Sequence, residues 1–334
     1  MTPEPRERVL LIEDDEDLAD RILRILKQKG FRPFREAAQQ SGVERAKNEA
    51  PEIVILDLQI PSETGRADAD VAHGLKALAA ITQLDPFRPV VVCSAHGGNK
   101  ELSRKVYSLT RGGPFIFKDS ETFDEDLFAA IAVALAQPAY KASKTVAAFR
   151  KLVEADADKS EREHAYRKFI HDHWQVILGP DYKDCHSPYA IGRAAEIDIL
   201  AVRHDGFVDL WELKRPDTPV FKHYGQWLGH SPECASAIGQ LMHYYDAAAR
   251  EPQAGALHLE ARRGTDLYLN RPRGFVVLGR YSPDPRKAKL ERERLRLENS
   301  FYAGLTVLTY DDLIERATSL LDFLLRHRNG SSSA

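Results

Sequence analysis

Four short apolar runs in the first third of the chain constrain the fold more than any other feature. They have the length and composition of strands that are buried on both faces of a parallel sheet. They cover residues 8–12, 53–56, 89–93 and 115–117. After the first run, leucine and isoleucine recur at helical spacing up to Gly30, and further helical stretches follow. Strands that alternate with helices predict an α/β fold with a doubly wound parallel sheet.

Each of these runs is followed by a polar or charged residue. Ligands of doubly wound sheets bind at the carboxyl ends of the strands, so we expect these side chains to converge. They are Glu13, Asp14, Asp57, Ser94 and Lys118. The carboxylates can hold Mg²⁺, Asp57 can attack phosphorus, and the hydroxyl and ammonium groups can bind phosphoryl oxygens. Each alone is better explained as a polar strand end facing water, but the set together favours a site.

Residues 6–138 resemble the receiver domain of two-component response regulators. The matching positions are Glu13 and Asp14 as the acidic metal pair, Asp57 as the phosphoacceptor, Ser94 as the switch hydroxyl, Lys118 as the phosphate-contacting lysine and Phe115 as the switch aromatic. The resemblance implies a Mg²⁺ cofactor and a sensor histidine kinase as partner. Two departures bear on loop geometry and phosphate lifetime: the loop 60–73 is longer than usual, and Asp119 stands where the family usually has proline.

A second stretch, Glu196 to Pro216, has the pattern of a β-hairpin. Two apolar runs, 197–202 and 207–214, flank an Asp-Gly turn, and Pro216 ends the ladder because it has no N–H to donate. The hairpin therefore predicts a rigid sheet element in the second half of the chain.

Three ionisable residues interrupt this hairpin, namely Asp198, Glu212 and Lys214. Side chains alternate along a strand, so Glu212 and Lys214 share a face, and strand pairing would bring Asp198 near Glu212. Two carboxylates on a sheet suit Mg²⁺, and a nearby lysine can activate water and stabilise charge on a phosphate. The competing interpretation is a hairpin with a wet polar face, which the apolar setting disfavours.

The triplet resembles the core of the PD-(D/E)xK nuclease superfamily, and the WELKRP segment is similar to the Shedu family of anti-phage defence nucleases. The resemblance spans roughly residues 160–325 and implies a second α/β domain of the restriction-endonuclease-like type. It implies a metal-dependent phosphodiesterase or endonuclease in which Asp198 and Glu212 bind Mg²⁺ and Lys214 handles the attacking water.

Two helical segments add to this resemblance. Glu163 resembles a catalytic carboxylate on the first helix, where it would hold a second metal ion or orient the first. Gln240 and Tyr244 lie one turn apart on one helix face and resemble the QxxxY helix of related nucleases, and this resemblance implies that the face lines the site and contacts nucleic acid. A packed tyrosine beside a surface glutamine explains that pair equally well.

Length, charge and cysteine content exclude several other classes of protein. A chain of 334 residues is expected to form two domains, and its net charge of −3 excludes a generally basic nucleic-acid binder. Three cysteines without CxxC spacing argue against a zinc site or a disulfide framework. The sequence has no apolar run of membrane-span length and no signal peptide, so we expect a soluble cytoplasmic protein without membrane contact.

The predicted organisation has four parts: a receiver domain at 6–138, a connector at 139–160, a nuclease-like domain at 161–328 and a disordered tail at 329–334. The connector carries a short helical pattern and is either a solvated linker or a helix that transmits a signal.

We therefore predict a phosphorylation-controlled response regulator whose output is a metal-dependent nuclease that acts on DNA in anti-phage defence, as a homo-oligomer. The alternative is a non-catalytic signalling adaptor with a degenerate nuclease-like binding module. The candidate DNA-backbone patch is the helical stretch 286–298 with arginines 262, 263, 271 and 273. A solvated charged helix explains the stretch somewhat better.

Overall fold

The computed structural model describes residues 7–95, 100–110, 112–155, 162–191, 195–250, 256–257 and 267–328. The chain divides into two compact units. One comprises Met1–Ser143 and Asp322–Ala334, and the other comprises Lys144–Leu321. The predicted tail at 329–334 and the end of the predicted connector at 156–160 lie outside the described residues.

The first unit alternates strands and helices from its start. Its strands are β1 (Arg8–Ile12), β2 (Arg32–Glu36), β3 (Ile53–Asp57), β4 (Val90–Ser94) and β5 (Phe115–Phe117). Its helices are α1 (Glu16–Gln28), α2 (Gln39–Glu49), α3 (Val71–Leu84), α4 (Lys100–Thr110) and α5 (Phe123–Leu135). The helix α6 (Pro138–Glu154) follows and contains the boundary between the two units.

The five strands of the first unit form one parallel sheet in the order β2-β1-β3-β4-β5. Alternate side chains of a strand point to opposite faces, and both faces are covered here. In β1, Val9 and Leu11 pack with α1 and α5, whereas Leu10 and Ile12 pack in the core that contains α3 and α4 side chains. The predicted doubly wound parallel sheet is confirmed.

The strand β2 was not evident from the sequence. It reads Arg-Pro-Phe-Arg-Glu, is only partly buried, and pairs with β1 alone at the edge of the sheet. An edge strand tolerates proline and polar side chains, so it lacks the apolar run that revealed its neighbours.

The loop after β3 is ordered by two contacts. Ile60 pairs with Asp70 in an isolated antiparallel bridge, and the Asp70 carboxylate caps α3 by accepting from the backbone N–H of Ala72 at 2.7 Å. The helix begins at Val71, so the last residues of the long loop predicted at 60–73 form the first turn of this helix. Gly74 packs so closely against Leu58 that an added Cβ would stand 2.2 Å from the Leu58 carbonyl oxygen.

The second unit is also α/β. Its remaining helices are α7 (Arg162–Asp172), α8 (Trp174–Ile177), α9 (Pro232–Arg250), α10 (Pro285–Phe301) and α11 (Tyr310–Arg328), the last of which ends in the first unit. Its strands are β6 (Tyr182–His186), β7 (Tyr189–Ile191), β8 (Ala195–Ile197), β9 (Ile199–Arg203), β10 (Phe207–Leu213), β11 (Phe221–Tyr224), β12 (Trp227–His230), β13 (Ala256–Leu257), β14 (Leu267–Val277) and β15 (Leu305–Leu308).

The main sheet of the second unit is mixed. It runs β13-β14-β10-β9-β6, with β15 also paired to β14. The strands β10, β14 and β15 are parallel to one another, whereas β9 pairs antiparallel with β10 and with β6. Two-stranded ribbons, β7–β8 and β11–β12, lie apart from it. The predicted α/β second domain is confirmed.

The strand β10 is central to this sheet and is buried on both faces from Val208 onward. Val208 and Leu210 pack in a core with Leu241 and Tyr244 of α9. On the alternate side, the ring of Trp211 stacks on Phe275 with centroids 4.1 Å apart. A strand fixed on both faces gives a rigid support for any side chain at its end.

No helix in the described part of the chain combines the length and the apolar character that crossing a membrane requires.

Candidate functional sites

The carboxyl ends of β1, β3 and β5 bring three predicted residues into direct contact. The Lys118 ammonium lies 2.7 Å from Oε2 of Glu13 and 2.8 Å from Oδ2 of Asp57. Glu13 is 1% exposed and Asp57 is 3% exposed, so the lysine bridges two carboxylates that water hardly reaches. Each residue ends its strand or directly follows it, and the parallel sheet sets these ends at one edge.

The charges of this cluster are strongly coupled. Burial raises the pKa of Glu13 to about 7, with a further contribution from the Asp57 charge. Burial likewise raises the pKa of Asp57, against the opposing effect of Lys118. Burial alone would lower the pKa of Lys118, but the two carboxylates outweigh it and raise this pKa. A cation at the site would therefore relieve two carboxylates that are hard to ionise together.

The same edge supplies a set of metal-binding oxygens. Glu13, Asp14 and Asp57 each offer one carboxylate oxygen, and these atoms lie within 4.8 Å of one another. Oxygen ligands from carboxylates suit Mg²⁺, so this set fits the ion that a receiver site binds. Arg35 holds the loop in place, because its guanidinium donates to the carbonyl oxygens of Glu13 and Asp14 at 3.0 Å each.

Ser94 and Phe115 lie on the neighbouring strands. Ser94 ends β4, is fully buried, and accepts a hydrogen bond at its carbonyl from the Lys118 amide at 3.1 Å. The ring of Phe115 contacts that of Phe117 edge to face, with centroids 5.3 Å apart. Ser94 therefore lies at the carboxyl end of β4, next to β3, whereas the Phe115 ring packs against the core on the side of α3 and α4.

In the second unit, the end of β10 carries a buried ion pair. Glu212 is 2% exposed, and its Oε1 accepts from the Lys214 ammonium at 2.7 Å. Burial raises the pKa of Glu212 to about 7, and the Asp198 charge adds to this effect. Burial alone would lower the pKa of Lys214, but Glu212 outweighs it and raises this pKa.

The second oxygen of Glu212 has no hydrogen-bond donor in the part of the chain that the structure describes. Among the described residues, no group reaches the buried Oε2 in hydrogen-bonding geometry, although the Tyr244 hydroxyl lies close by. A buried carboxylate oxygen without a partner is costly unless a cation binds it. This oxygen, on a rigid strand and beside a second carboxylate, fits a divalent metal ion.

Asp198 lies between β8 and β9, opposite the end of β10. Its Oδ2 accepts from the backbone N–H of Leu213 at 2.8 Å, and its Oδ1 lies 3.2 Å from the Arg167 guanidinium. The register pairs Ile199 with Trp211, so Asp198 falls one step beyond that pair, as the hairpin predicts. The structure therefore brings Asp198, Glu212 and Lys214 to one end of the sheet.

Comparisons with known proteins match both halves of the chain. Residues 9–121 match the family model of the response regulator receiver domain, and residues 160–314 match the family model described as Shedu protein SduA, C-terminal. The chain joins a receiver domain to a Shedu domain. Its receiver domain is similar to the cell cycle transcriptional regulator CtrA of Caulobacter vibrioides, with 31% identity over 105 residues. That match covers 31% of this chain and 40% of the length of the curated relative.

Two solved structures are also similar to the receiver domain. One is a CheY-like receiver domain protein of Methanospirillum hungatei JF-1, with 21% identity and a TM-score of 0.34, covering 39% of this chain and 94% of that one. The other is the signal receiver domain of an HD domain-containing protein of Pseudomonas fluorescens Pf-5, with 18% identity and a TM-score of 0.33, covering 39% and 95%.

The remaining predicted residues of the Shedu domain form a polar chain. Oε1 of Gln240 accepts from the Lys214 ammonium at 3.2 Å, and its Nε2 donates to the Tyr244 hydroxyl at 2.6 Å. Burial, with help from the Glu212 charge, raises the pKa of Tyr244 to about 12. Glu163 is half exposed, and its nearest oxygen lies 3.9 Å from the Lys214 ammonium. It therefore faces the lysine.

Two residues of the Shedu site gave no sequence signal. Arg167 lies one turn after Glu163 on α7, where a lone arginine resembles any surface cation. Tyr310, at the start of α11, is fully buried and donates from its hydroxyl to the Lys214 carbonyl at 2.7 Å. The two residues fix the backbone after β10 and one oxygen of Asp198, and only the tertiary structure reveals them.

Three arginines of the predicted basic patch are paired with carboxylates. The Arg273 guanidinium donates to the fully buried Asp209 carboxylate, which also accepts from the Tyr182 hydroxyl at 2.8 Å. On α10, Arg292 pairs with Glu315 and Arg294 pairs with Glu298. Residues 262 and 263 lie outside the described residues.

Proposed function

We propose that this protein is a response regulator whose Shedu domain is a metal-dependent nuclease. The observation that carries the proposal is Glu212, a buried carboxylate with one oxygen on Lys214 and the other without a donor among the described residues. A strand end with that composition supports phosphodiester chemistry better than it supports a purely structural role.

In this proposal, Glu212 and Asp198 hold Mg²⁺. When bound, Mg²⁺ polarises the phosphodiester and lowers the pKa of an attacking water. Lys214 then orients that water and stabilises charge on the phosphate, since its ammonium is already fixed between Glu212 and Gln240. Tyr310 holds the Lys214 backbone, so the ammonium is positioned from both ends of the residue.

For the receiver domain, we propose phosphorylation of Asp57 by a sensor histidine kinase. An Asp57 oxygen attacks the phosphorus atom, a new P–O bond forms, and the P–N bond to the kinase histidine breaks with return of a proton to that histidine. Glu13, Asp14 and Asp57 would hold Mg²⁺, which neutralises the phosphoryl oxygens when bound. Lys118 would move from the carboxylate pair to the phosphoryl group.

The route from phosphate to nuclease is proposed to run through the connector helix. Within the second unit, Phe149 of α6 stacks on Phe169 of α7 with ring centroids 5.5 Å apart. It also contacts Tyr310 at 6.1 Å, and Tyr310 in turn contacts Tyr166 at 5.3 Å. A shift of α6 would therefore reach the hydroxyl that holds Lys214 and the helix that carries Arg167.

A second candidate function is a non-catalytic signalling adaptor. The ion pair between Arg167 and Asp198 favours it, because the guanidinium neutralises a carboxylate that the nuclease would use for metal binding. In that case the Shedu domain would be a binding module, and phosphorylation of Asp57 would control a partner protein.

For the nuclease, we also propose DNA as the substrate and phage defence as the setting, on the strength of the Shedu match.

A cleavage assay separates these functions. Linear and circular DNA would be incubated with the full chain, with and without Mg²⁺ and acetyl phosphate, and products resolved by size. We expect Mg²⁺-dependent cleavage that EDTA stops. Absence of cleavage of either DNA and of an RNA control, under Asp57 phosphorylation shown by mass spectrometry, would favour the adaptor.

A further inference from the structure

The ribbon formed by β11 and β12 presents two large aromatic side chains to solvent. Trp227 is 60% exposed and Tyr224 is 38% exposed, yet their rings stack with centroids 4.8 Å apart and planes 19° apart. They face each other across a two-residue turn, in which Gly225 adopts a φ of 67°. Glycine at the first position of such a turn is typical of a tight hairpin with the right twist.

The aromatic pair is held in place by the ribbon. The ring of Trp227 lies over Gly229, where an added Cβ would stand 2.4 Å from a ring carbon. The Tyr224 hydroxyl donates to the His230 carbonyl at 3.1 Å. At the base, Ser231 closes the ribbon by donating from its hydroxyl to the Pro219 carbonyl at 2.6 Å. The rings are thus ordered before any ligand arrives, which lowers the entropic cost of binding.

A cation shares the face of the two rings. Side chains alternate along a strand, and Lys222 pairs with Gly229, so Lys222 projects from the same face as Tyr224 and Trp227. From Thr218 to Pro232 the sequence contains no aspartate or glutamate, although the net charge of the whole chain is −3. Glu298 pairs with His230 at the end of the ribbon far from the turn.

The ribbon is also continuous with the candidate nuclease site. The chain leaves that site at Lys214, forms the ribbon, and returns as α9, whose Gln240 contacts Lys214. Aromatic rings with an adjacent cation match the chemistry of a single nucleic-acid strand, in which bases stack and phosphates are negative.

We infer that the Tyr224–Trp227 pair stacks against an unpaired base of a nucleic-acid strand while Lys222 contacts its phosphate. This inference rests on the proposed nuclease function and adds to it a preference for substrates with an unpaired segment, such as an overhang or an opened end. The ribbon acts as a binding element, and the metal site remains at Glu212.

Binding without cleavage tests the inference. The full chain would be titrated in EDTA against a fluorescein-labelled single-stranded oligodeoxynucleotide, the same sequence as RNA, a blunt duplex and a duplex with a 3′ overhang. We expect tighter binding of the single strands and of the overhang than of the blunt duplex. A 2-aminopurine base in the overhang would report stacking through loss of its fluorescence on binding.

Variants assign the effect to the ribbon. Trp227→Ala is expected to weaken single-strand binding by about 5–150-fold, the range of one lost base–aromatic stack. Trp227→Phe retains a ring and most of the affinity. Phe301→Ala, which removes an aromatic residue that is 79% exposed on α10, should leave binding unchanged. Lys222→Gln should lower the slope of log affinity against log salt by about 0.7.

Two results would overturn the inference. One is equal single-strand affinity for the wild type and Trp227→Ala. The other is loss of self-association in Trp227→Ala, measured by sedimentation without nucleic acid, which would assign the ribbon to a second copy of the chain. Because binding is measured in EDTA, a chain that binds through Trp227 but never cleaves would contradict the proposed nuclease and leave this inference standing.

Discussion

The receiver site and the Shedu site use similar parts in different arrangements. Each has a buried glutamate whose pKa burial raises to about 7 and a lysine within 2.7 Å of it. In the receiver, Lys118 bridges two carboxylates and a third oxygen ligand lies within reach. In the Shedu domain, Lys214 donates to Glu212, with Glu163 3.9 Å away, while Arg167 pairs with Asp198.

This difference shows how the two sites could be controlled. The receiver carboxylates share one counter-ion, so any ligand that displaces Lys118 changes both of them at once. The Shedu carboxylates are neutralised by cations from separate elements, with Lys214 following β10 and Arg167 on α7. A movement of α7 would therefore take Arg167 away from Asp198 and Glu163 away from Lys214, while the pair of Glu212 and Lys214 stays at the end of β10.

The largest expected effect concerns the receiver nucleophile. Asp57→Asn should abolish incorporation of phosphate from acetyl phosphate and Mg²⁺, because the amide cannot attack phosphorus. Intact-mass spectrometry at neutral pH would measure one added phosphoryl group on the wild type and none on the variant. Asp20→Asn, an exposed carboxylate on α1, is the matched control. Phosphate on the Asp57→Asn protein would contradict the assignment.

The next effect separates the lysine–glutamate pair of the Shedu domain from a structural ion pair. Substitution of a group that only supports a metal ligand typically costs about 10–100-fold in activity. Glu212→Ala and Lys214→Ala should each reduce the rate of DNA cleavage by more than that. Initial rates at saturating Mg²⁺ measure this, with circular dichroism as a check on folding. Glu196→Ala and Lys183→Ala, which change exposed residues on β8 and β6, are the controls. Full activity of Glu212→Ala would rule out the nuclease assignment.

A smaller effect is expected from coupling between the two sites. Phosphorylation adds about −1.5 to −2 charges next to Lys118, and coupling energies between protein sites correspond to about 5–150-fold. We expect cleavage rate or oligomeric state to change within that range on phosphorylation, with activation as the expected direction. Rate and molecular mass would be compared with and without phosphodonor, using Asp57→Asn as control. If neither changes in a fully phosphorylated protein, the receiver is a docking domain.

The smallest effect tests the cation on Asp198. Arg167→Gln removes a positive charge 3.2 Å from a carboxylate oxygen, so Mg²⁺ should bind more tightly. We expect the Mg²⁺ concentration that gives half-maximal cleavage to fall by up to about tenfold, equivalent to about 1.4 kcal/mol. Lys168→Gln, which removes an exposed cation on the same helix, should not shift it. An unchanged Mg²⁺ dependence would show that Arg167 leaves the metal site untouched.

The predictable parts of the fold are those where burial dictates the sequence. The strands β1, β3, β4 and β5 carry runs of apolar residues, and both faces of β3 and β4 are fully buried, so their positions could be read directly. The edge strand β2 and the ribbon β11–β12 were not predicted, because partly exposed strands need no apolar run.

Some residues of the candidate sites could be predicted from the sequence and others could not. Glu212 and Lys214 could be found because charged residues interrupt an apolar strand, and Asp57 because it ends one. Arg167 and Tyr310 could not, since an arginine on a polar helix and a tyrosine at a helix start are ordinary there. Their contacts with Asp198 and with the Lys214 carbonyl arise from tertiary packing between α7, α11 and the end of β10.

The two buried acids of β10 also carry different costs for the fold. Asp209 is fully compensated by Tyr182 and Arg273, whereas one oxygen of Glu212 lacks any donor in the described chain. Replacing Glu212 and Lys214 together by apolar residues would spare the domain that penalty, whereas replacing Glu212 alone would leave the lysine without its carboxylate. A binding module with no need for metal would gain stability from that double replacement, so under the proposed nuclease function the cost at Glu212 is borne for metal binding and not for the fold.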